Sequence, residues 1–192
     1  KALIRFTTNL ALADERIIEE MLTSGISGIH VSLNASSPDT YSELMGLDLE
    51  KTLTNLNRLI ARRAELGARL TILISFLVCD RNEAERERFV AEWSERVDSV
   101  SIQRAVDWGG RVKVDPGKNR YDRAKFLFPC ADLFGRIVLQ SDGKAALCCQ
   151  DSKGMIGLSV LDRPILDIFY SDAFERIRSL HLTGRIREIR QC

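Results

Sequence analysis

Short apolar segments alternate with longer amphipathic segments through residues 1–105. The apolar segments are rich in β-branched and aromatic residues, and they predict four strands at Leu3–Thr7, Ile29–Leu33, Leu70–Val78 and Val97–Gln103. Strands that are separated by helical crossovers run parallel, so the pattern predicts an α/β sheet or part of a βα barrel. Four units would leave such a barrel open.

The first two amphipathic segments carry helix start and stop signals. Asp14 and Asp48 stand where an N-cap is expected, and Gly25 and Gly67 stand where the apolar periodicity ends. We therefore expect a helix after each of the two aspartates.

The third strand and its helix have a different pattern. Leu70–Val78 is nearly continuous in β-forming residues, as expected for a strand that is covered on both faces. Asn82 and Glu85 follow it and resemble a capping box, in front of a helix that would bury Phe89 and Trp93.

The pattern changes after residue 111. Residues 112–128 contain Pro, Gly and charge with little periodicity, which predicts a linker. Two apolar runs then flank Asp142-Gly143, a strong signal for a β-hairpin. Short helices are expected after Asp162 and after Asp172, which forms a capping pair with Glu175. The predicted domains are 1–111, the linker 112–128, and 129–192.

Composition narrows the range of partners. The 192 residues are 45% hydrophobic and 29% charged, as in an ordinary folded protein. The formal net charge of +1 gives no electrostatic surplus for nucleic acid, and no apolar run approaches the roughly 20 residues that cross a bilayer. We expect neither a nucleic-acid nor a membrane partner. Since the chain starts at Lys1 without Met and stops on Cys192, we also expect it to be a piece of a longer protein.

Cysteines are the first pointer to chemistry. Four of the five lie in the last third of the chain, at Cys130, Cys148, Cys149 and Cys192, and the fifth is Cys79. No secretory signal is present, so we expect a cytoplasmic location and reduced thiols, which serve metal or redox chemistry more often than structural disulfides.

The predicted hairpin brings two of these thiols together. Cys130 and Cys148 bracket it, and Cys149 should point to the opposite side because adjacent strand residues alternate. Cys192 would supply a third ligand, whereas a tetrahedral zinc or a cubane cluster needs four. The alternative is that these cysteines are small buried apolar residues.

Polar residues at the predicted strand exits are the second pointer. Ligands of parallel α/β folds bind beyond the carboxyl ends of the strands. The candidates are Thr8, Asn9, Ser32, Asn34, Asp80, Asn82, Gln103 and Arg104. Asn and Asp also form turns and caps with their own backbone, which is the alternative for each of them. His30 and His181 are interpreted as buried, hydrogen-bonded histidines.

Several of these motifs together resemble a known family. Thr7-Thr8-Asn9, Val31-Ser32-Leu33-Asn34 and the segment from Pro129-Cys130 to Cys148-Cys149 are similar to radical S-adenosylmethionine enzymes with a SPASM extension. The SPASM signature is Cys, a spacer, Gly, four residues and Cys, which Cys130, Gly143 and Cys148 match. Ile177–His181 also looks like the stretch that precedes the closing cysteines of this extension.

The resemblance implies a fold and an activity. The fold would be the C-terminal part of a partial (βα)6 radical SAM barrel, followed by a small SPASM unit with a β-hairpin and short helices. The activity would be hydrogen abstraction from a small-molecule or peptide substrate by a 5′-deoxyadenosyl radical. S-adenosylmethionine, a catalytic [4Fe-4S] cluster, an auxiliary [4Fe-4S] cluster and a reducing electron donor would take part.

The same resemblance implies residue roles. Ser32 would bond the cofactor's ribose, and Asn9 and Asn34 would line the same cavity. Cys130, Cys148 and Cys192 would hold the auxiliary cluster, completed by a further Cys beyond the chain.

The sequence also departs from the family pattern. The Cys-x3-Cys-x2-Cys and Gly-Gly-Glu motifs are absent and would lie upstream of Lys1, so this chain alone should not cleave S-adenosylmethionine. The family's Thr-Asn-Gly reads Thr-Asn-Leu, with Leu10 in the place of Gly. Two other hypotheses stay open: a zinc-stabilised binding module and a non-catalytic α/β domain.

Overall fold

A computed structural model describes residues 2–104 and 129–189. The chain divides into two compact units, Lys1–Ala105 and Val106–Cys192. The predicted linker 112–128 lies outside the described residues, and so does Cys192.

The first unit alternates strands and helices. Its strands are β1 (Arg5–Thr8), β2 (Gly28–Ser32), β3 (Thr71–Val78) and β4 (Ser99–Arg104). Its α-helices are α1 (Glu15–Thr23), α2 (Pro38–Met45), α3 (Leu49–Leu66) and α4 (Arg86–Trp93), with a 3-10 turn over Glu83–Glu85. None of the helices in the described ranges is both long and apolar enough to cross a membrane.

The four strands form one parallel sheet in the order β1-β2-β3-β4. This confirms the predicted α/β class with a parallel sheet. Among the described residues β1 and β4 are the edge strands, so the sheet is open.

The helices cover one face of this sheet. The sheet residues of the main core alternate along the strands and include Ile29, Val31, Ile72, Ile74 and Phe76. They share that core with apolar side chains of the helices, including Ile18, Leu56, Leu59, Phe89 and Trp93. The prediction that β3 is covered on both faces is wrong at Thr71 and Leu77, which lie on the other face and are exposed.

Two of the predicted helix caps are confirmed. Asp14 accepts a hydrogen bond from the Ile17 N–H at 2.8 Å, and Asp48 accepts one from Lys51 at 3.2 Å. Helix α2 is not recognisable from apolar periodicity, because Tyr41 is its only buried residue. Its signal is local: Ser37 caps it and Pro38 occupies its first position.

The loop after β1 contains a strained residue. Leu10 has φ +59°, in the left-handed region that costs a non-glycine residue about 1–2 kcal/mol. Its amide donates to the Thr8 hydroxyl at 3.0 Å, and its carbonyl accepts from the buried Asn55 side chain at 2.8 Å. Leu10 is only 1% exposed, so burial of the side chain offsets the strain. Leu10 therefore adopts a backbone conformation that is typical of glycine.

The second unit is built from short elements. They are α5 (Asp132–Gly135), β5 (Val138–Leu139), β6 (Ala145–Ala146), α6 (Ile165–Phe169), α7 (Asp172–Leu182) and a 3-10 turn over Ile186–Glu188. A separate apolar core holds them together, formed by Leu133, Ala145, Leu147, Ile168, Phe174 and Ile189.

Strands β5 and β6 pair antiparallel around a tight turn. Gln140 donates to the Lys144 carbonyl at 2.8 Å, and Gly143, with φ +81°, donates back to the Gln140 carbonyl at 2.9 Å. This geometry is a three-residue loop that ends in a left-handed glycine, and Asp142 itself keeps an ordinary negative φ.

The start of α7 also differs from expectation. Ser171 is its N-cap, so the Asp172 side chain does not cap it, and Glu175 forms an ion pair with Arg178 instead.

We expect Leu10→Gly to destabilise the first unit although it relieves the backbone strain. Loss of a buried leucine costs about 2–5 kcal/mol, whereas the relief is about 1–2 kcal/mol. Urea unfolding should therefore show a net loss of about 2 kcal/mol, the difference between the midpoints of the two ranges. Leu12→Gly is the matched control, because Leu12 is 82% exposed in the same loop and should cost no more than about 1 kcal/mol. A Leu10→Gly protein as stable as the parent would contradict this account.

Candidate functional site

The sheet face opposite the helices carries most of the polar side chains of the strands, together with Leu73 and Leu77, and we call it the polar face. The register aligns Ser32, Ser75 and Ser101 in one row across β2, β3 and β4. Thr7 and His30 form the neighbouring row on β1 and β2. The row of three serine hydroxyls near the carboxyl ends of the strands is suited to a polar ligand rather than to another core layer.

Ser32 and Asn9 lie at the carboxyl ends of their strands. Ser32 is half-buried at the last position of β2, and no described residue forms a hydrogen bond with its hydroxyl. Asn9 follows β1, and its side-chain oxygen accepts from the Ala11 N–H at 3.1 Å, which is an Asx turn. Its amide nitrogen has no hydrogen-bond partner within residues 2–104 and 129–189, so both residues keep hydrogen-bonding capacity.

Asn34 is more fully engaged. It adopts φ +62°, its side-chain oxygen accepts from the Leu77 N–H at 2.9 Å, and its amide nitrogen lies 3.3 Å from the Met45 sulfur. These contacts join the end of β2 to β3 and α2. Its predicted place in a cofactor cavity stays a prediction.

Asn82 holds the same region together. It is fully buried, its oxygen accepts from the Cys79 N–H at 2.7 Å, and its nitrogen donates to the carbonyls of Asn34 and Leu77, each at 2.8 Å. The predicted capping box of Asn82 and Glu85 is wrong, because the Asn82 side chain makes no cap hydrogen bond to the turn that follows it. Its contact with Asn34 spans 48 residues, which local sequence patterns do not reveal.

Glu85 supports the start of α2. Its carboxylate accepts from the hydroxyls of Ser37 and Thr40, both at 2.6 Å, and from the backbone of Ser36 and Ser37. Burial by itself raises the pKa of this carboxyl, but the four hydrogen bonds outweigh burial and the pKa is lowered. Glu85 is therefore held as an anion at the N-terminus of a helix, where negative charge is favourable.

His30 differs from its interpretation as a hydrogen-bonded histidine. Its Nε2 is buried without a partner among the described residues, and burial lowers the pKa of its imidazole. His30 lies on the polar face two positions before Ser32, and its Nε2 is an unsatisfied polar atom there.

The second unit holds three of the candidate thiols. Cys130 and Cys149 are exposed, and Cys148 is half-buried. The Gln150 N–H points at the Cys148 sulfur, with a nitrogen–sulfur distance of 3.4 Å. Burial raises the pKa of the Cys148 thiol, backbone hydrogen bonds oppose this, and the charges of Cys149 and Cys130 raise it further.

The donor chemistry fits a thiolate-bound metal group. Backbone N–H groups directed at cysteine sulfur are typical of iron–sulfur ligation, and thiolates are the soft ligands that iron–sulfur clusters and zinc prefer. The described residues do not bring three or more His, Cys, Asp or Glu side chains into metal-binding geometry. Cys192, the third predicted ligand, lies outside them.

Two residues beside Cys130 went unrecognised as site residues. His181 Nδ1 accepts from the Cys130 N–H at 3.3 Å, and Arg178 Nε donates to the Leu133 carbonyl at 2.9 Å. Their spacing of three on one helix is the sequence signal that they share a face.

Comparisons with known proteins give a fold relationship. No protein-family model matches the chain, and no curated protein matches it significantly in sequence. Among solved structures, SuiB of Streptococcus suis bound to precursor peptide SuiA matches with a TM-score of 0.68 and 18% identity, over 91% of this chain and 49% of SuiB. SuiB bound to S-adenosylmethionine gives a TM-score of 0.63 and 15% identity, over 92% of this chain and 50% of SuiB.

A third structure, tagged anSMEcpe with bound AdoMet, matches with a TM-score of 0.56 and 12% identity. The match covers 98% of this chain and 61% of anSMEcpe. At these identities the similarity establishes a shared fold. The chain spans about half the length of SuiB.

We expect Glu85→Gln to lower the free energy of unfolding at pH 7 by about 1.5–3 kcal/mol, the worth of a hydrogen bond to a charged group. The pKa of Glu85 is lower in the folded state than in the unfolded state. The Glu85 carboxylate therefore contributes its full stabilisation above the unfolded pKa of about 4.3, and this stabilisation is lost as the pH falls through the folded pKa. The difference between the two proteins should therefore shrink in acid. Glu87→Gln, an exposed carboxylate on α4, is the matched control. A stability gap that does not change between pH 7 and acid would contradict the role of the charge.

Proposed function

We propose that this chain is the C-terminal part of a partial (βα)6 barrel of a radical S-adenosylmethionine enzyme, followed by a SPASM unit. The observation that supports this best is the polar face of the sheet, on which Ser32 lies at the carboxyl end of β2. Four parallel strands with helices on one face form a sector of a βα barrel, whose other face becomes the interior. Similarity in fold to two structures that bind S-adenosylmethionine supports the same assignment.

Three residues of the first unit would hold the cofactor. Ser32 offers a hydroxyl for the ribose, and Asn9 offers its amide nitrogen from the neighbouring strand end. Asn34 would line the cavity with its backbone and the outer surface of its engaged carboxamide. These groups bind and orient the cofactor. The hydrogen bonds from Asn82 to the carbonyls of Asn34 and Leu77 hold the ends of β2 and β3 in place.

The chemistry itself would come from bound groups. When bound, S-adenosylmethionine and a reduced [4Fe-4S] cluster would supply the 5′-deoxyadenosyl radical chemistry of hydrogen abstraction, and an electron donor would be needed for the reduction. The role of the protein is to orient the substrate and to exclude water.

A peptide is the substrate class that we propose. SuiB, which shares the fold, has been crystallised with a precursor peptide. A small molecule is the alternative, since the residues of the polar face suit either class.

The second unit would hold an auxiliary [4Fe-4S] cluster through Cys130, Cys148 and Cys192. The N–H···S contact at Cys148 supports this placement. The same thiolates suit zinc, so a zinc-stabilised module is the competing interpretation. Iron and acid-labile sulfide analysis of the anaerobically purified full-length protein separates the two, because zinc in place of iron and sulfide would contradict the proposal.

We expect Ser32→Ala in the full-length protein to weaken S-adenosylmethionine binding by about 0.5–1.5 kcal/mol, the net value of a neutral hydrogen bond. Isothermal titration calorimetry measures the change. Ser99→Ala is the matched control, because Ser99 lies at the opposite end of β4 and is exposed. The thermal midpoint should change little in either variant. Equal affinity in Ser32→Ala and the parent would remove Ser32 from the site.

We also expect Cys130→Ala and Cys148→Ala each to lose the iron of one cluster, since each removes a ligand. Cys79→Ala controls for the loss of a thiol elsewhere, and Cys149→Ala tests the neighbouring position. Iron per chain, measured after anaerobic purification, gives the result. If Cys149→Ala loses iron and Cys148→Ala does not, the choice between the adjacent cysteines is wrong.

A further inference from the structure

One side of α7 fastens the segment that carries Cys130. Arg178 and His181 are three residues apart on this helix, and they are only 5% and 6% exposed. Buried polar side chains are retained where they satisfy specific partners. Here the partners are backbone groups of the turn Cys130–Leu133.

Both ends of that turn are held. His181 Nδ1 accepts from the Cys130 N–H at 3.3 Å, and Arg178 Nε donates to the Leu133 carbonyl at 2.9 Å. Within the turn, the Leu133 N–H donates to the Cys130 carbonyl at 3.2 Å. The backbone on either side of the Cys130 side chain is therefore fixed relative to α7.

Arg178 is itself held firmly. Its guanidinium lies over the Phe169 ring at 4.2 Å and the Phe174 ring at 5.2 Å, and it pairs with Glu175. A planar guanidinium that packs against two aromatic rings has few alternative positions. Because Arg178 is fixed on the α7 side, its hydrogen bond to the Leu133 carbonyl restrains the turn.

We propose that His181 and Arg178 are positioning residues, which fix the Cys130 backbone so that its thiolate meets the metal site. The proposal rests on the proposed auxiliary cluster. Metal ligands that are not held in place by the shell around them typically lose about 10- to 100-fold in metal affinity. His181 acts here through its acceptor nitrogen on the Cys130 backbone and is not itself a ligand.

A pair of variants of similar size tests the hydrogen bond. His181→Asn places a carbonyl oxygen near the position of Nδ1 and can still accept from Cys130, whereas His181→Leu cannot. In the full-length protein we expect His181→Leu to bind Co²⁺ about 10- to 100-fold more weakly than the parent, as measured by cobalt–thiolate absorption. The same variant should lose the iron of one cluster. His181→Asn should stay close to the parent in both measurements. Leu182→Ala, at an exposed position of α7, is the control for helix substitution.

The outcomes distinguish the proposal from its premise. Parent-like metal binding in His181→Leu would overturn the positioning role, and so would equal loss in both His181 variants. If His181→Leu does not fold, Arg178→Met decides from the other end of the turn: weaker metal binding supports the proposal, and parent-like binding overturns it. If the parent binds neither metal, the proposed auxiliary cluster is wrong. Amide hydrogen exchange at Cys130 then still tests whether His181 holds the turn, because exchange should be slow in the parent and fast in His181→Leu.

Discussion

The pairing register of the four parallel strands decides which side chains meet in the first unit. Because parallel strands align their side chains in rows across the sheet, one face collects Ile29, Ile72 and their apolar neighbours, and the other collects Ser32, Ser75 and Ser101. A slip of one residue in β2 would exchange the faces and expose the core. The apolar face thus fixes the register, and the register places the polar row. The same hydrophobic burial that stabilises the fold builds the candidate site.

The carboxyl ends of β2 and β3 are stabilised separately from the core. Asn82 ties the two exits through three hydrogen bonds, and Glu85 anchors the start of α2 beside them. Leu10 keeps a left-handed backbone at the neighbouring exit through burial of its side chain. In the second unit, α7 gives comparable support to the turn of Cys130. In both units, hydrogen bonds to the backbone hold the loops that carry the candidate site residues.

Elements with strong periodicity were predictable from the sequence, and long-range polar contacts were not. The strands and the caps Asp14 and Asp48 follow from local pattern, because a cap bonds within three residues of itself. Helix α2 buries only the side chain of Tyr41, so its sequence shows no apolar periodicity. Asn82 and Glu85 have the spacing of a capping box, but Glu85 and one hydrogen bond of Asn82 reach partners about 48 residues away, where sequence spacing carries no information. Ser32 was predictable as a strand-exit residue, whereas His181 and Arg178 became interpretable only once the turn of Cys130 was placed against their helix.

We propose that the polar face of the sheet receives S-adenosylmethionine, and the proposed function depends on this. Hydrogen–deuterium exchange of the anaerobic full-length protein, measured with and without saturating S-adenosylmethionine, tests it most directly. The account predicts slower exchange in the peptides that contain Thr8–Leu10 and Leu33–Asn34, at the ends of β1 and β2, with little change in α1 and α3 on the opposite face. Exchange that stays unchanged at both strand ends while the cofactor is bound would contradict it.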